Sequence, residues 1–299
     1  MAKISAMENL ELKKFFRGKK VLITGHTGFK GSWLTHILVR WGAKVAGVAL
    51  KPEYRPNLFE ALKLRSKIDN YFIDIRDYKK LKSVFDRENP EIVIHLAAQA
   101  LVLASYNDPL RTISVNSLGT SHVLHAIKEN GKVKSAVLIT TDKVYENKER
   151  AHAYSEGDVL GGHDPYSASK AAADIIINSY IKSFFNLKDY KKSHNTLVAI
   201  ARAGNVIGGG DWAPDRIIPD LVRATYENKN SDIVVRNPEA VRPWEHVLEP
   251  LSGYLMLARK LYAGDVNMVG AWNFGPEERS FITVEKLIKK YCSYLGQCR

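Results

Sequence analysis

Short apolar runs alternate with segments of helical periodicity along the first two thirds of the chain. We predict six β-strands, each an apolar run of the length that suits a buried parallel strand, at residues 20–25, 44–50, 70–75, 91–98, 135–140 and 197–203. Two helical segments, residues 31–42 and 109–131, end at Gly42 and Gly131, as helix C-caps often do. Strands that alternate with helices predict an α/β fold with a Rossmann-like, doubly wound parallel sheet.

The regular alternation ends at about Arg202. Glycine, proline and tryptophan become frequent in GNVIGGGDWAPDRIIP and RNPEAVRPWEH. We therefore predict a Rossmann domain over residues 1–203 and a smaller, loop-rich region for substrate over residues 204–299. In such a sheet the ligand lies at the carboxyl ends of the strands.

Composition and charge narrow the classes of function. A hydrophobic content of 45% and a charged content of 25% are typical of a globular protein. The chain has no apolar run of membrane-spanning length, no signal-peptide core and two cysteines, so we expect a cytoplasmic protein without a disulfide framework. Its histidines are scattered, so no metal site is expected. The net charge of +12 is spread over mixed segments, which disfavours a nucleic-acid partner and suits an anionic substrate.

A glycine-rich loop follows the first predicted strand. Gly25, Gly28 and Gly31 in ITGHTGFKGSWL have the G-x-x-G-x-x-G spacing of a dinucleotide fingerprint and open a helix. Glycine permits the tight turn and lets backbone amides approach a pyrophosphate at the helix N-terminus. We predict NAD as the cofactor of the Rossmann domain. The other loop residues that we consider are Thr27 and Phe29 as cofactor contacts, and His26 and Lys30 as sources of positive charge near the phosphates.

Further cofactor contacts are expected where strands end. The second strand runs into Leu50 and Lys51 without the acidic residue that usually holds the adenosine ribose, so this position does not distinguish NAD from NADP. The third strand closes with residues that can meet the adenine, and the fourth closes with small residues against which the cofactor can lie. These residues are Asp74, Ile75, Leu96, Ala97, Ala98 and Gln99.

The reacting pair is predicted to be Tyr166 and Lys170. Tyr-x-x-x-Lys places both side chains on one helix face, where a cationic lysine lowers the tyrosine pKa and binds the nicotinamide ribose. The phenolate accepts a proton from a sugar hydroxyl while the coenzyme takes the hydride. A second such pair, Tyr78 and Lys82, falls in a lysine-rich segment that reads as a solvated helix face.

Thr141, Asp142 and Lys143 follow the fifth predicted strand and indicate a second chemical step. Thr141 can donate a hydrogen bond to the reacting oxygen. Oxidation at C4 of a hexose acidifies the C5 proton, so water can leave from C6 if one group removes that proton and another protonates the hydroxyl. Asp142 is the candidate acid, which needs a raised pKa, and Lys143 is the candidate base, which needs a lowered pKa.

Several segments together resemble the CDP-glucose 4,6-dehydratases, which are extended short-chain dehydrogenases/reductases. The segments are GHTGFKGSWL, HLAAQ, TTDK, LGGHDPYSASK, ARAGNVIGGGDWAPDRIIPD, VRPWEHVLEPLSGYL and AWNFGP, and they span nearly the whole chain. The resemblance implies NAD, CDP-glucose as substrate, CDP-4-dehydro-6-deoxyglucose as product, a role in surface polysaccharide synthesis, and a homodimer. Relatives that use dTDP- or GDP-sugars usually carry glutamate at the position of Lys143, which favours the CDP branch.

The resemblance also implies substrate contacts after residue 203. Those positions are Asn205, Arg216, Arg242, His246 and Asn273, with the two arginines paired to the diphosphate.

Two departures from the family pattern modify this expectation. Leu103 stands where the family usually has an arginine, which removes a charge near the substrate. The chain ends at Arg299, where relatives continue, so we expect a shortened substrate region in which cofactor binding survives better than turnover.

Three other functions stay open. A nucleotide-sugar 4-epimerase would share Tyr166, Lys170 and NAD but needs no elimination, so Lys143→Met separates the two enzymes. A catalytically impaired NAD-binding fragment is the second alternative. A nucleic-acid module is the least favoured of the three.

Overall fold

The computed structural model describes residues 6–148, 153–226 and 234–295. Its strands are β1 (Lys20–Thr24), β2 (Lys44–Ala49), β3 (Asp69–Phe72), β4 (Ile92–His95), β5 (Ser135–Ile139), β6 (Leu197–Ala203), β7 (Asn205–Ile207), β8 (Val241–His246), β9 (Gly270–Phe274) and β10 (Phe281–Thr283). Its helices are α1 (Ala6–Phe16), α2 (Phe29–Arg40), α3 (Leu58–Ala61), α4 (Tyr78–Glu88), α5 (Val102–Asn107), α6 (Pro109–Ile113), α7 (Gly119–Asn130), α8 (Pro165–Ser183), α9 (Ile217–Tyr226), α10 (Leu248–Tyr262) and α11 (Val284–Leu295).

The main sheet confirms the predicted doubly wound fold. Its seven strands are ordered β3-β2-β1-β4-β5-β6-β9, and each neighbouring pair is parallel. The order reverses between β1 and β4, which opens the crevice at the carboxyl ends of these strands. Six of the strands were predicted and β9 was missed. Four of its five residues are only partly buried and its sequence, GAWNF, contains no apolar run.

Helices cover both faces of the main sheet. Helices α1, α2 and α10 pack on one face, where the core includes Leu12, Leu34 and Tyr254. Helices α4, α7 and α8 pack on the other face, where the core includes Leu81, Leu124 and Ile177. Strands buried on both sides read as continuous apolar runs, which explains why β1, β4, β5 and β6 were visible in the sequence.

The predicted helix over residues 109–131 is divided in the structure. Helix α6 passes through a π-helical turn, Ser114–Leu118, before α7 begins. The wide turn directs the Asn116 amide to the carbonyl of Gln99 at 3.0 Å and to Ser169 Oγ of α8 at 2.9 Å. Such turns are frequent at functional sites, and this one ties α8 to the end of β4. The helix still ends at Gly131, whose φ is +64°.

The segment after residue 203 contributes to two sheets. Strands β7, β8 and β10 form a small second sheet in the order β10-β8-β7, whereas β9 completes the main sheet beside β6. Helix α10 also belongs to the main core through Leu251, Leu255 and Leu261. The division into residues 1–203 and 204–299 therefore stays a prediction about binding roles. The small sheet begins directly after the end of β6.

Candidate active site

The glycine loop is shaped by close backbone contacts. Gly25 has a φ of +76° and its amide donates to the carbonyl of Val48 at 2.8 Å. A Cβ at Gly25 would lie 2.6 Å from the backbone nitrogen of Ala97, at the end of β4. A Cβ at Gly31 would lie 2.0 Å from the carbonyl oxygen of Gly25. Only glycine fits at these two positions, because the loop presses against both β4 and its own helix.

The start of α2 has the form of an anion site. Gly28 is the N-cap, and no side chain caps the helix there. The first amides of α2 are thus free of side-chain caps, and the helix dipole favours negative charge at this end. Phe29, the first residue of α2, is 3.3 Å from the position that a Cβ on Gly208 would take, so the small sheet borders the loop. These features fit a dinucleotide whose pyrophosphate lies at the N-terminus of α2.

The two basic residues of the loop have different environments. His26 is buried, and its Nε2 lies 2.7 Å from Asn70 Oδ1. Burial lowers the pKa of His26, so this ring does not supply the positive charge that the sequence suggested. Lys30 does occupy the site. Burial lowers the pKa of Lys30 to about 8, and the charge of Glu245 acts in the opposite direction.

Several residues that were expected to contact the cofactor already make contacts with other protein groups. Asp74 forms an ion pair with Arg76 at 2.7 Å, so its carboxylate is already engaged. Ile75 is buried, and its carbonyl lies 3.0 Å from His122 Nδ1. Thr27 donates to the carbonyl of Leu50 at 2.9 Å, which fastens the glycine loop to the end of β2.

The end of β4 is built for close approach. Leu96, Ala97, Ala98 and Gln99 are all partly buried. The amide of Ala97 donates to Thr24 Oγ1 at 3.2 Å, and the Gln99 side chain donates to Thr112 Oγ1 at 2.9 Å. The glutamine side chain therefore braces the loop after β4 against α6.

Tyr166 and Lys170 lie one turn apart at the start of α8. Asp164 caps this helix by accepting from the amides of Tyr166 and Ser167, and Pro165 occupies the first turn. The ammonium of Lys170 donates to the carbonyl of Ile139 at 2.9 Å, so the helix is fixed to the end of β5. Burial lowers the pKa of Lys170 to about 8, and nearby Lys30 lowers it further.

The phenol of Tyr166 is buried and hydrogen-bonds with Thr141. Burial raises its pKa to about 12, while a hydrogen bond with Thr141 acts in the opposite direction. Burial outweighs the groups that lower this pKa, among which Thr141 is the first; the role of Lys170 stays a prediction. Asp142 raises the Tyr166 pKa and Arg216 lowers it, so both charges lie within electrostatic range of the phenol.

Thr141, Asp142 and Lys143 form a tight turn beside that phenol. Thr141 caps the turn by accepting from the amide of Lys143, and its hydroxyl donates to Asp142 Oδ1 at 3.1 Å. Asp142 and Lys143 form an ion pair at 3.8 Å, with 38% and 42% of their side chains exposed. The five predicted catalytic residues therefore meet at the carboxyl end of β5. Their acid and base roles stay predictions. Tyr78 and Lys82 lie elsewhere, on α4, where they pair with Glu129 and Asp86.

The predicted substrate residues differ in exposure and in their contacts with other protein groups. Asn205 begins β7, and Arg216 forms an ion pair with Asp211 at 2.8 Å while acting on the Tyr166 pKa. Arg242 and His246 are exposed on β8. Asn273 on β9 is held by other protein groups, since its amide oxygen accepts from Tyr145 at 2.6 Å and its amide nitrogen donates to the carbonyl of Tyr154. Their roles as substrate contacts stay predictions.

Sequence reasoning missed several buried polar residues around the site. Glu245 on β8 is 5% exposed, its Oε1 has no hydrogen-bond partner, and burial raises its pKa to about 7. Tyr254 on α10 is fully buried and its hydroxyl also lacks a partner. Arg202 lies inside β6 and pairs with Asp174 of α8. An arginine within the apolar run LVAIARA was a signal that could have been used.

The described residues fall short of what a metal centre and a membrane-spanning helix require. Over residues 6–148, 153–226 and 234–295, no three His, Cys, Asp or Glu side chains are grouped as a metal would require. Within those same ranges no helix combines the length and the apolar character that crossing a bilayer demands.

Known proteins resemble this chain in sequence and in fold. A CDP-glucose 4,6-dehydratase of Salmonella typhimurium is 46% identical over 284 residues, which are 95% of this chain and 78% of the relative. An epimerase of Methanothermobacter thermautotrophicus has a TM-score of 0.79 at 23% identity, over 96% of this chain and 80% of its own. A dTDP-glucose 4,6-dehydratase of Streptomyces venezuelae, solved with NAD, has a TM-score of 0.76 at 21% identity, over 93% and 81%. These two structural similarities establish the fold.

The family model confirms the resemblance seen in the sequence. Residues 21–275 match the NAD dependent epimerase/dehydratase family. The match includes the glycine loop, the turn after β5 and the start of α8, and it confirms NAD as the cofactor. The chain belongs to the NAD-dependent epimerase/dehydratase family.

Proposed function

We propose that this chain converts CDP-glucose to CDP-4-dehydro-6-deoxyglucose and water. The observation that carries the proposal is the turn of Thr141, Asp142 and Lys143, which lies against the Tyr166 phenol at the end of β5. A 4-epimerase needs the phenol but has no use for an additional acid and amine. The 46% identity with a CDP-glucose 4,6-dehydratase supports the same substrate.

The oxidation step uses the buried pair. Tyr166 accepts the proton of the C4 hydroxyl in its phenolate form, and the hydrogen bond with Thr141 favours that form against the effect of burial. When bound, NAD⁺ would supply the acceptor for the C4 hydride and the donor that returns it to the sugar. Lys170, which lies against Ile139 at the same strand end, would hold the nicotinamide ribose. Gly25, Gly28 and the first amides of α2 would hold the pyrophosphate.

The elimination step uses the turn. Once C4 is a ketone, Lys143 as the neutral amine removes the C5 proton, and Asp142 as the protonated acid donates its proton to the C6 hydroxyl, which leaves as water. C6 would then receive the hydride and C5 a proton, so that the net change is loss of one water. Asp142 and Lys143 are each more than a third exposed, which leaves them accessible to a sugar in the crevice.

The substrate is proposed to extend from Tyr166 over the small sheet. Arg216 acts electrostatically on Tyr166 and would pair with the diphosphate, joined by Arg242. Asn205, His246 and Asn273 are proposed around the phosphates and the nucleotide. The basic balance of the chain assists the approach of an anionic substrate.

A homodimer is proposed from an exposed apolar surface. Six large apolar side chains on α5, α6, the π-helical turn and α8 are 39% to 78% exposed, a pattern that commonly marks an interface. They are Leu103, Tyr106, Leu110, Ile113, Leu118 and Ile175. We call these six residues the apolar face. A cytoplasmic location and a role in deoxysugar synthesis for surface polysaccharide complete the proposal.

Product analysis tests the proposed reaction. The protein is incubated with NAD⁺ and, separately, with CDP-, dTDP-, GDP- and UDP-glucose, and the sugars are identified by mass and NMR. We expect a 4-keto-6-deoxy product from CDP-glucose, at least ten times faster than from the other donors. Formation of the 4-epimer would show the alternative enzyme. Normal NAD⁺ binding without any product would show a catalytically impaired NAD-binding protein.

A further inference from the structure

A buried ion pair joins the catalytic helix to β6. Asp174 lies four residues after Lys170 on α8, so both point from the same helix face. Its two carboxylate oxygens accept from Arg202 Nε and Nη2 at 2.8 Å each. The side chains of Asp174 and Arg202 are 0% and 2% exposed. Two parallel charge-assisted hydrogen bonds in a buried setting fix the relative position of helix and strand.

This ion pair reaches both ends of the acid/base turn. On one side, Thr140 Oγ1 donates to Asp174 Oδ2 at 3.2 Å, directly before Thr141. On the other side, Arg202 Nη1 donates to the hydroxyl of Tyr145 at 2.8 Å, two residues after Lys143. The turn is therefore held at Thr140 by Asp174 of α8 and at Tyr145 by Arg202 of β6. We call Thr140, Tyr145, Asp174 and Arg202 the anchoring frame.

Tyr145 connects the anchoring frame to the last strand of the sheet. Its hydroxyl accepts from Arg202 and donates to Asn273 Oδ1 at 2.6 Å, so both of its hydrogen-bonding roles are used. Its ring stacks on Tyr154 with centroids 5.2 Å apart and an angle of 9° between the planes. The backbone amide of Asn273 is fixed in turn by Glu156 at 2.8 Å.

The side chains in the turn lack comparable support. Asp142 and Lys143 meet at 3.8 Å and are 38% and 42% exposed. Tyr166 is buried, and its position follows from the capped start of α8. The placement of Asp142 and Lys143 thus depends on the backbone of the turn, whereas Tyr166 is placed by its own helix.

We propose that the anchoring frame positions Asp142 and Lys143 relative to Tyr166 and thereby controls elimination separately from oxidation. The proposal rests on the reaction proposed above. Loss of one contact of the frame shifts the turn but leaves α8 capped and Lys170 attached to Ile139. A displacement of about 1 Å of a reacting group lowers a rate by roughly 100-fold. The C5 proton is then removed slowly. Oxidation at C4, which also uses Thr141 of the turn, slows by less, because Tyr166 and Lys170 stay in place on α8.

Two substitutions test the frame from opposite ends. Tyr145→Phe removes the hydroxyl that bridges Arg202 and Asn273, and Thr140→Val removes the hydroxyl that reaches Asp174. The matched controls are Tyr154→Phe, which deletes a neighbouring hydroxyl that donates to Asn147 and accepts from the amide of Lys148, and Thr140→Ser, which keeps the contact with Asp174. We measure product formation, exchange of the C5 hydrogen with solvent, near-ultraviolet absorbance of reduced coenzyme, CDP-glucose KM, and amide hydrogen exchange of residues 141–145.

We expect the same result from both ends of the frame. Tyr145→Phe and Thr140→Val lower product formation by roughly 10- to 100-fold with KM changed less than about threefold. Reduced coenzyme and the 4-keto-glucose nucleotide accumulate during turnover, C5 exchange slows, and amide exchange in residues 141–145 speeds up while that of α8 is unchanged. Both control variants behave like the wild type.

Other outcomes distinguish a failure of the proposal for the anchoring frame from a failure of the proposed reaction. The proposal for the anchoring frame is overturned if oxidation and elimination have the same relative rates in both test variants as in the wild type. It is also overturned if the two steps are slowed equally. An inactive wild type would remove the proposed reaction. In that case amide exchange decides the frame alone, since unchanged protection of residues 141–145 in Tyr145→Phe would overturn it.

Discussion

Gly25→Ala tests the structural basis of cofactor binding, and Gly18→Ala is its matched control. The two glycines have nearly the same positive φ, +76° and +75°. A Cβ at Gly25 would lie 2.6 Å from the Ala97 nitrogen, whereas a Cβ at Gly18 would meet nothing within 4 Å. The pair therefore separates backbone strain, which is common to both, from the steric overlap in the glycine loop.

The expected magnitudes follow from these contacts. Left-handed backbone costs an alanine about 1–2 kcal/mol, so Gly18→Ala lowers the free energy of unfolding by that amount. Gly25→Ala adds overlap with backbone that cannot rotate away, at a further cost of about 1–3 kcal/mol. To relieve the overlap, the loop must move away from Ala97. One lost charge-assisted hydrogen bond to the pyrophosphate, about 1.5–3 kcal/mol, weakens NAD⁺ binding roughly 10- to 100-fold.

Urea denaturation and calorimetric NAD⁺ titration measure both quantities. We expect Gly18→Ala to bind NAD⁺ like the wild type and Gly25→Ala to bind it at least tenfold more weakly. Equal NAD⁺ affinities in the two variants would refute the assignment of the glycine loop as the pyrophosphate cradle.

Three further predictions concern chemistry, stability and assembly. Lys143→Met lowers the rate of dehydration by roughly 100- to 10,000-fold with NAD⁺ affinity unchanged. Its control, Lys148→Met, retains activity. A fully active Lys143→Met variant would favour the epimerase. Burial lowers the pKa of His95 from 6.5 to about 3, so its contribution to stability is complete above pH 6.5 and is lost as the pH falls toward 3. This loss reaches about 2 kcal/mol at pH 5, and a His95→Asn variant with an unchanged acid slope in urea denaturation would contradict it. Leu110→Glu in the apolar face produces monomers in sedimentation analysis, whereas Leu10→Glu on the opposite side of the sheet does not; a dimeric Leu110→Glu would reject this face.

The sequence was most informative where one local rule determines the structure. The apolar runs of β1, β4, β5 and β6 are buried on both faces, so each appeared as a continuous signal. The glycine spacing and Tyr166 with Lys170 were equally visible, because each depends on a short interval within one loop or helix.

The features that were missed depend on contacts between distant segments. Strand β9 joins the sheet through pairing with β6, although its own residues are only partly buried. Arg202 was read as part of an apolar strand, and its partner Asp174 lies 28 residues away on α8. The effect of burial on Tyr166 could not be read from the i, i+4 spacing to Lys170, since desolvation is set by the whole fold.

The charged groups of the site were also difficult to assign from the sequence, because their positions depend on tertiary contacts. His26 was considered as a phosphate contact because of its place in the loop, yet its ring is buried beside Asn70. Lys30, four residues later, is the loop cation that acts on Lys170. The strand beneath a loop determines which of two basic residues faces the ligand. This depends on tertiary packing, which the sequence does not show directly.

The fate of the C4 hydrogen tests the central claim most directly. CDP-glucose labelled with deuterium at C4 is mixed in equal amount with unlabelled CDP-glucose and converted in ordinary water, and the products are examined by NMR and mass spectrometry. The account predicts that the label moves to C6 within the same molecule, with one proton from solvent at C5. Deuterium that is lost to solvent, that remains at C4, or that appears in initially unlabelled molecules would contradict it.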